Sequence, residues 1–117
     1  SSDLVVKVGD TVYISGQVSR GLNGRTIHVG DPEAQIRAVW ANLEKAVKAA
    51  GGSLKDIVKT TTYVVGVGNL GRIRAARLEL LPPEGRPTST TLVVAGLADP
   101  DLLVEVEAIA VIDSRGP

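Results

Sequence analysis

The chain has 117 residues, 44% of them hydrophobic, with 13 basic and 13 acidic side chains and a formal net charge of zero. That length fits one domain, residues 1–117, and the composition supplies a core and excludes a disordered chain. The even charge balance speaks against nucleic acid as a partner, because a phosphate footprint needs surplus Lys and Arg. The absence of Cys excludes disulfides and thiolate metal sites and suits a cytoplasmic protein.

No apolar run reaches the ~20 residues that span a bilayer, and no basic-then-apolar signal opens the chain, so no membrane partner is expected. The chain opens on Ser1 rather than Met, which is read as a processed or trimmed N-terminus. Phe and Met are absent, and Tyr13, Trp40 and Tyr63 are the aromatic residues. The core is therefore expected to be Val, Leu, Ile and Ala.

Residues 4–8 read as a short strand, and Gly9-Asp10 as a turn. Residues 11–18 alternate as a strand, with Val12, Ile14 and Val18 on one face and Thr11, Tyr13, Ser15 and Gln17 on the other. Residues 21–24 form a turn-rich loop, and residues 25–29 a third, weaker strand. Asp31-Pro32 opens a helix, with Asp31 as N-cap and Pro32 at the first helical position. Ile36, Val39, Trp40, Leu43, Ala46, Val47 and Ala50 keep helical spacing, Glu44 and Lys48 pair on the wet face, and Gly51-Gly52 stops the helix.

Residues 56–65 are a β-rich run broken by Gly66 and Gly68. Residues 70–81 form a second helix burying Ile73, Ala76, Leu80 and Leu81, and Pro82-Pro83 ends it. Residues 88–95 are a strand, and residues 102–112 are the last. In that last strand Val104, Val106, Ala108, Ala110 and Ile112 share an apolar face. Glu105 and Glu107 share the opposite face, about 7 Å apart. A carboxylate on a core strand is costly unless it faces water, a partner or a site.

Two helices and about six strands in this order predict a two-layer α/β (α+β) sandwich with both helices on one face of a mixed sheet. The other face, with Tyr13, Ser15, Gln17, Glu105, Glu107, Ile109 and Val111, is too apolar for water and too polar for a dry core. It reads as a subunit interface containing a site.

Several segments resemble the Rid family (reactive intermediate deaminases, also called YjgF-like or endoribonuclease L-PSP proteins). They are Gly9-Asp10-Thr11-Val12-Tyr13-Ile14-Ser15-Gly16-Gln17, Ala34-Gln35 with Asn42-Leu43, and Asp56-Ile57-Val58-Lys59-Thr60-Thr61. Arg86-Pro87 and the run from Val104 to Val111 complete the set. The resemblance implies a chorismate-mutase-like fold assembled as a homotrimeric barrel, helices outside, with ligand pockets between subunits. It also implies hydrolysis of reactive imines and enamines such as 2-aminoacrylate to ketoacids and ammonia, with no metal and no cofactor. The implied ligand is a small carboxylate or imine.

Carried over residue by residue, Glu105 matches the glutamate that positions or activates the hydrolytic water, and Ser15 matches the pocket serine. Active members carry a carboxylate-binding arginine two residues after the Pro of Arg-Pro-Ala-Arg. Here Arg86-Pro87-Thr88-Ser89 places Ser89 there. The pocket tyrosine before the first strand falls near Ser2 and is absent. Arg74, where many members have asparagine, and Arg86 are candidate substitute cations, each with a plainer reading as a surface or interface residue. Ser89 and Thr91 offer hydroxyls to a ligand, and Ser15 serves either a ligand carboxylate or the backbone where Gly16 bends the strand.

Glu107 reads as an interface ion pair. His28, the single histidine, reads as a surface residue. Trp40 reads as a helix–sheet anchor, and Gly66-Val67-Gly68 as a turn with no Gly-Lys-Ser/Thr after it. The leading function is imine or enamine hydrolysis centred on Glu105. A non-catalytic metabolite-binding or regulatory protein of the same family is the alternative that Ser89 motivates. A ribonuclease or translation inhibitor lacks support in charge and aromatics, and a chorismate mutase lacks the necessary cations.

Overall fold

The computed structural model describes residues 4–113. Strands β1 (Val5–Val8) and β2 (Thr11–Val18) pair through the Gly9-Asp10 turn, where Gly9 takes φ +60°. Helix α1 (Pro32–Ala49) begins where the Asp31 carboxylate accepts the Ala34 N–H at 3.0 Å. It ends in a Schellman motif. Gly51, at φ +96°, donates its N–H to the Lys48 carbonyl, and the Gly52 N–H reaches the Val47 carbonyl. Strand β3 (Ile57–Val65), helix α2 (Leu70–Leu80), strand β4 (Thr88–Val94) and strand β5 (Val104–Val111) complete the order.

The sheet order is β1-β2-β5-β3-β4. β3 and β4 are parallel because α2 carries the chain back between them; every other pair is antiparallel. β5, last in sequence, is the middle strand. Val104, Val106, Ala108 and Ala110 are buried on its helix side. They pack with Ile36, Val39, Leu43 and Val47 of α1 and with Ile73 and Ala76 of α2. Each fully buried Val, Leu or Ile side chain contributes about 1.5–3 kcal/mol, and that burial holds α1 on the sheet. Trp40 is buried in the same core, so its ring is no exposed stacking platform.

Two expectations are corrected. The described residues form five strands rather than six: residues 25–29 contribute only an isolated bridge from Thr26 to Arg20. That loop turns too sharply to pair further, with positive φ at Gly24, His28 and Gly30. The Thr26 hydroxyl donates instead to the Asp99 carboxylate at 2.8 Å. His28 is exposed there.

The second correction concerns the end of β2. Its register against β5 slips between Ile14 and Gln17, so Gln17 stands opposite Val106 and Val18 opposite Glu105. A slip of one residue exchanges the faces. Gln17 therefore turns to the helix side, and Val18 joins the face of Glu105, the reverse of the alternation read from sequence.

Candidate functional site

β5 places Glu105 and Glu107 at the centre of the sheet face that no helix covers. Tyr63 of β3 stands opposite Glu105, and Thr61 opposite Glu107. Around them the face exposes apolar groups. Tyr13 is 48% exposed, Val111 46%, and Val6 and Val8 more than half. A shallow depression of about 180 Å³ lies among Tyr13, Lys59, Thr61, Glu107 and Ile109.

The two glutamates have different surroundings. The Tyr63 hydroxyl donates a hydrogen bond to Glu107 Oε1. The Tyr63 pKa is raised first by that bond, then by burial and by the charges of Glu107 and Glu105. Glu105 has no hydrogen-bond or ion-pair partner among the described residues. Burial raises its pKa, the Glu107 charge adds to the rise, and the Arg20 charge opposes it. A carboxyl in that state is suited to taking up and returning a proton.

Gly16 makes room for this carboxyl. A methyl group at Gly16 would stand 2.6 Å from Glu105 Oε2 and 2.7 Å from its Cδ. The register slip and the missing side chain together bring the end of β2 against the acid. Ser15 lies beside that glycine on the exposed part of the strand, and its carbonyl accepts the Gln17 Nε2–H at 3.0 Å.

Two amides hold this end of the sheet, and sequence reading assigned neither a role. Asn42 Nδ2 on α1 donates to the Val18 carbonyl at 2.9 Å and to the Arg20 carbonyl at 3.4 Å. Gln35 is fully buried. It donates to the carbonyls of Asp101 at 3.0 Å and His28 at 3.2 Å, and its Oε1 accepts the Leu103 N–H at 2.8 Å. The signal available was a polar residue on the apolar stripe of α1, which must find partners once buried.

The remaining predicted site residues lie elsewhere. Ser89 and Thr91 pair in register with Thr60 and Thr62 of β3, both buried on the helix side. They therefore occupy the face opposite Glu105. Thr91 lines a narrow cleft with Thr62, Arg74 and Arg77. Arg86 reaches the Leu78 and Leu81 carbonyls at 3.5 Å each, at the C-terminal end of α2, where a cation is favoured. It also lines a groove of about 450 Å³ with Leu54, Leu80 and Pro87. Within one chain Glu105 thus meets none of Ser89, Thr91, Arg74 or Arg86. The position near Ser2 lies outside the described residues.

Gly66-Val67-Gly68 is a turn. Gly66 takes φ +84°, and Asn69 Nδ2 donates to the Val65 carbonyl at 2.8 Å. Among the described residues no group of three or more His, Cys, Asp or Glu is placed to hold a metal ion. No described helix is long and apolar enough to cross a membrane.

Residues 2–112 match the family described as Endoribonuclease L-PSP. The chain is 34% identical over 104 residues to the 3-aminoacrylate deaminase RutC of Acinetobacter baylyi, a match covering 89% of this chain and 81% of that protein. It is 31% identical over 105 residues to a RutC family protein of Pyrococcus horikoshii, covering 90% and 82%. Among solved structures, RidA from a Psychrobacter species superposes with TM-score 0.85 at 31% identity, covering 93% of this chain and 86% of that one. Escherichia coli TdcF with bound serine superposes with TM-score 0.84 at 29% identity, covering 94% and 87%. With its five-stranded mixed sheet, its two helices on one face and a match over nearly all its length, the chain belongs to the Rid (YjgF-like, endoribonuclease L-PSP) family.

Proposed function

We propose that the chain is a single domain that assembles as a homotrimer and hydrolyses reactive imines and enamines in pockets between subunits. The observation that carries this reading is Glu105. It is a partly buried carboxyl with raised pKa and no partner among the described residues, set in a sheet face whose apolar groups are uncovered. A lone acid of this kind is poorly placed for stability and well placed for proton transfer. The uncovered face and the opposite placement of Ser89 and Glu105 support an intersubunit pocket, because only a second copy can bring the two faces into one cleft. The similarity to a 3-aminoacrylate deaminase supports the substrate class.

In the proposed reaction the enamine first takes a proton at carbon and becomes an iminium. Water attacks the iminium carbon while the Glu105 carboxylate removes one of its protons, so a C–O bond forms and the C=N π bond closes onto nitrogen. Glu105 returns the proton to the amine, the C–N bond breaks and ammonia leaves, and the hydroxyl oxygen closes the C=O bond and releases its proton to solvent, which replaces the proton that solvent supplied at carbon. Every atom of the reaction comes from substrate and water, and Glu105 ends as it began.

The resemblance aligns Ser89 with the arginine expected of active members, and this motivates the second reading, a non-catalytic binder of small metabolites. One experiment separates the two. 2-Aminoacrylate and bulkier imines are generated in situ by a dehydratase or an amino acid oxidase, and their disappearance is timed by semicarbazide trapping. Acceleration by the wild type that Glu105→Ala loses is expected. No acceleration on any substrate would refute the deaminase reading. Light scattering gives the assembly, with three copies expected and a monomer excluding the intersubunit pocket.

A further inference from the structure

The groove at the C-terminal end of α2 shares no residue with the depression around Tyr13 and Glu107. Its volume of about 450 Å³ lies within the roughly 300–1,000 Å³ of pockets for small organic molecules. Leu54, Leu80, Leu81, Pro82 and Pro87 give it apolar walls. Leu81 is buried, and the half-buried Leu54 and Leu80 pack on the core, so the walls are anchored from below. Pro82, Pro83 and Pro87 fix φ along the rim, and Gly85 takes the φ of +72° at its turn. The groove is therefore formed before any ligand arrives, which lowers the entropy cost of binding. Leu54 and Leu80 also border a further depression beside Trp40, so the apolar surface runs on toward α1.

The mouth of the groove carries a surplus of positive charge. Lys55 and Arg86 border it with Glu84, and none of the three is in an ion pair among the described residues. Arg86 Nη2 lies 3.5 Å from the Leu78 and Leu81 carbonyls, which steadies the side chain and leaves its Nε and Nη1 donors for another acceptor. Nearby, the acid of α2, Glu79, is neutralised by Arg37 at 2.7 Å, while the helix also carries Arg72, Arg74 and Arg77.

We propose that this groove binds a bulky amphipathic organic anion, its apolar body on Leu54, Leu80 and Pro87 and its acidic group facing Arg86 and Lys55. Apolar walls with a few polar groups at one end select a ligand built the same way. A small hydrated acid would leave most of the groove to water, and a neutral hydrocarbon would desolvate the two cations without pairing them. The site lies outside the proposed hydrolytic cleft and does not rest on that reading.

The probe is 8-anilinonaphthalene-1-sulfonate, titrated into the full chain beside N-phenyl-1-naphthylamine, which has the same rings and no sulfonate. The sulfonate is expected to bind saturably, one per chain. Arg86→Gln is expected to weaken it about tenfold and to leave the neutral amine unchanged. Lys55→Gln, on a different element, is expected to act in the same direction and keeps the test valid if Arg86→Gln disturbs the end of α2. Leucine-methyl NMR of the full chain locates the probe, with shifts expected at Leu54, Leu80 and Leu81. Shifts confined to Leu92 on the open face, equal weakening of both probes, binding unmoved by either variant, or no binding would each overturn the assignment. An active deaminase whose groove stays empty would refute this site alone.

Discussion

The two faces of the sheet are finished to different degrees. On the helix side Val104, Val106, Ala108 and Ala110 of β5 are buried, and the amide of Gln35, buried with them, has partners for both its oxygen and its nitrogen. On the open side the same strand carries two glutamates, two residues apart, on a face with uncovered valines and the uncovered Tyr13. One glutamate is tied to Tyr63 and the other is not. Local strand geometry cannot cause that difference, since both side chains leave the same face of the same strand. Their cross-strand neighbours cause it. Glu107 lies within reach of a hydroxyl, and Glu105 lies against the bare backbone of Gly16.

The sharpest way to break this comparison is to neutralise each glutamate in turn. Glu105→Gln is expected to slow imine hydrolysis by about 10²–10⁴-fold, the usual worth of a proton-transferring group. Glu107→Gln is expected to change it only a few-fold; equal losses would remove the distinction. Gly16→Ala comes next. The flexible end of Glu105 can move aside, so stability should change by less than about 1 kcal/mol. The displaced carboxyl should cost about ten- to a hundredfold in rate. A rate unchanged by the added methyl would show that the close approach does not set the position of the acid.

On the finished face, Gln35→Leu keeps the volume and takes the Gln35 partner from the Leu103 N–H and the Asp101 carbonyl, while the His28 carbonyl keeps the Asp31 N–H. A loss of about 2–4 kcal/mol is expected, read as a drop in Tm of roughly 10 °C or more. The smallest effect concerns pH. The raised pKa of Glu105 means that the folded state binds its proton more tightly than the unfolded state does. Stability therefore falls as pH rises, from the ordinary carboxylate range up through the folded value. Glu105→Gln should flatten that part of the stability curve and be the more stable form above it, with no difference below both pKa values. Denaturant titrations of the two proteins across pH 3–8, a span set by the ordinary carboxylate range, measure it. A steeper curve in the variant would reverse the sign.

Much of this was readable without coordinates because its causes are local. The period-2 alternation of β5 depends only on strand geometry, and it placed Val104, Val106, Ala108 and Ala110 inside with Glu105 and Glu107 on the other face. The capping chemistry of Asp31-Pro32 and Gly51-Gly52 bounded α1 for the same reason. The end of β2 was misread because a bulge leaves no mark in composition, and one inserted residue reversed the faces of Gln17 and Val18. Gln35 and Asn42 were quoted as family-like residues, but their partners lie far along the chain, on the approaches to β5 and the exit of β2.

The sequence by itself determined the two helices, the five strands, the apolar faces of α1 and β5 and the family, because side-chain period, caps and motif residues act over a few positions. Only the tertiary structure decided that β5 runs between β2 and β3, that Glu105 rests on Gly16, and that Ser89 and Thr91 face away from Glu105. It also decided that Arg77 overhangs Thr62. Strand order and register are long-range choices, made by the burial of the whole sheet against two helices, and no short window of sequence contains them.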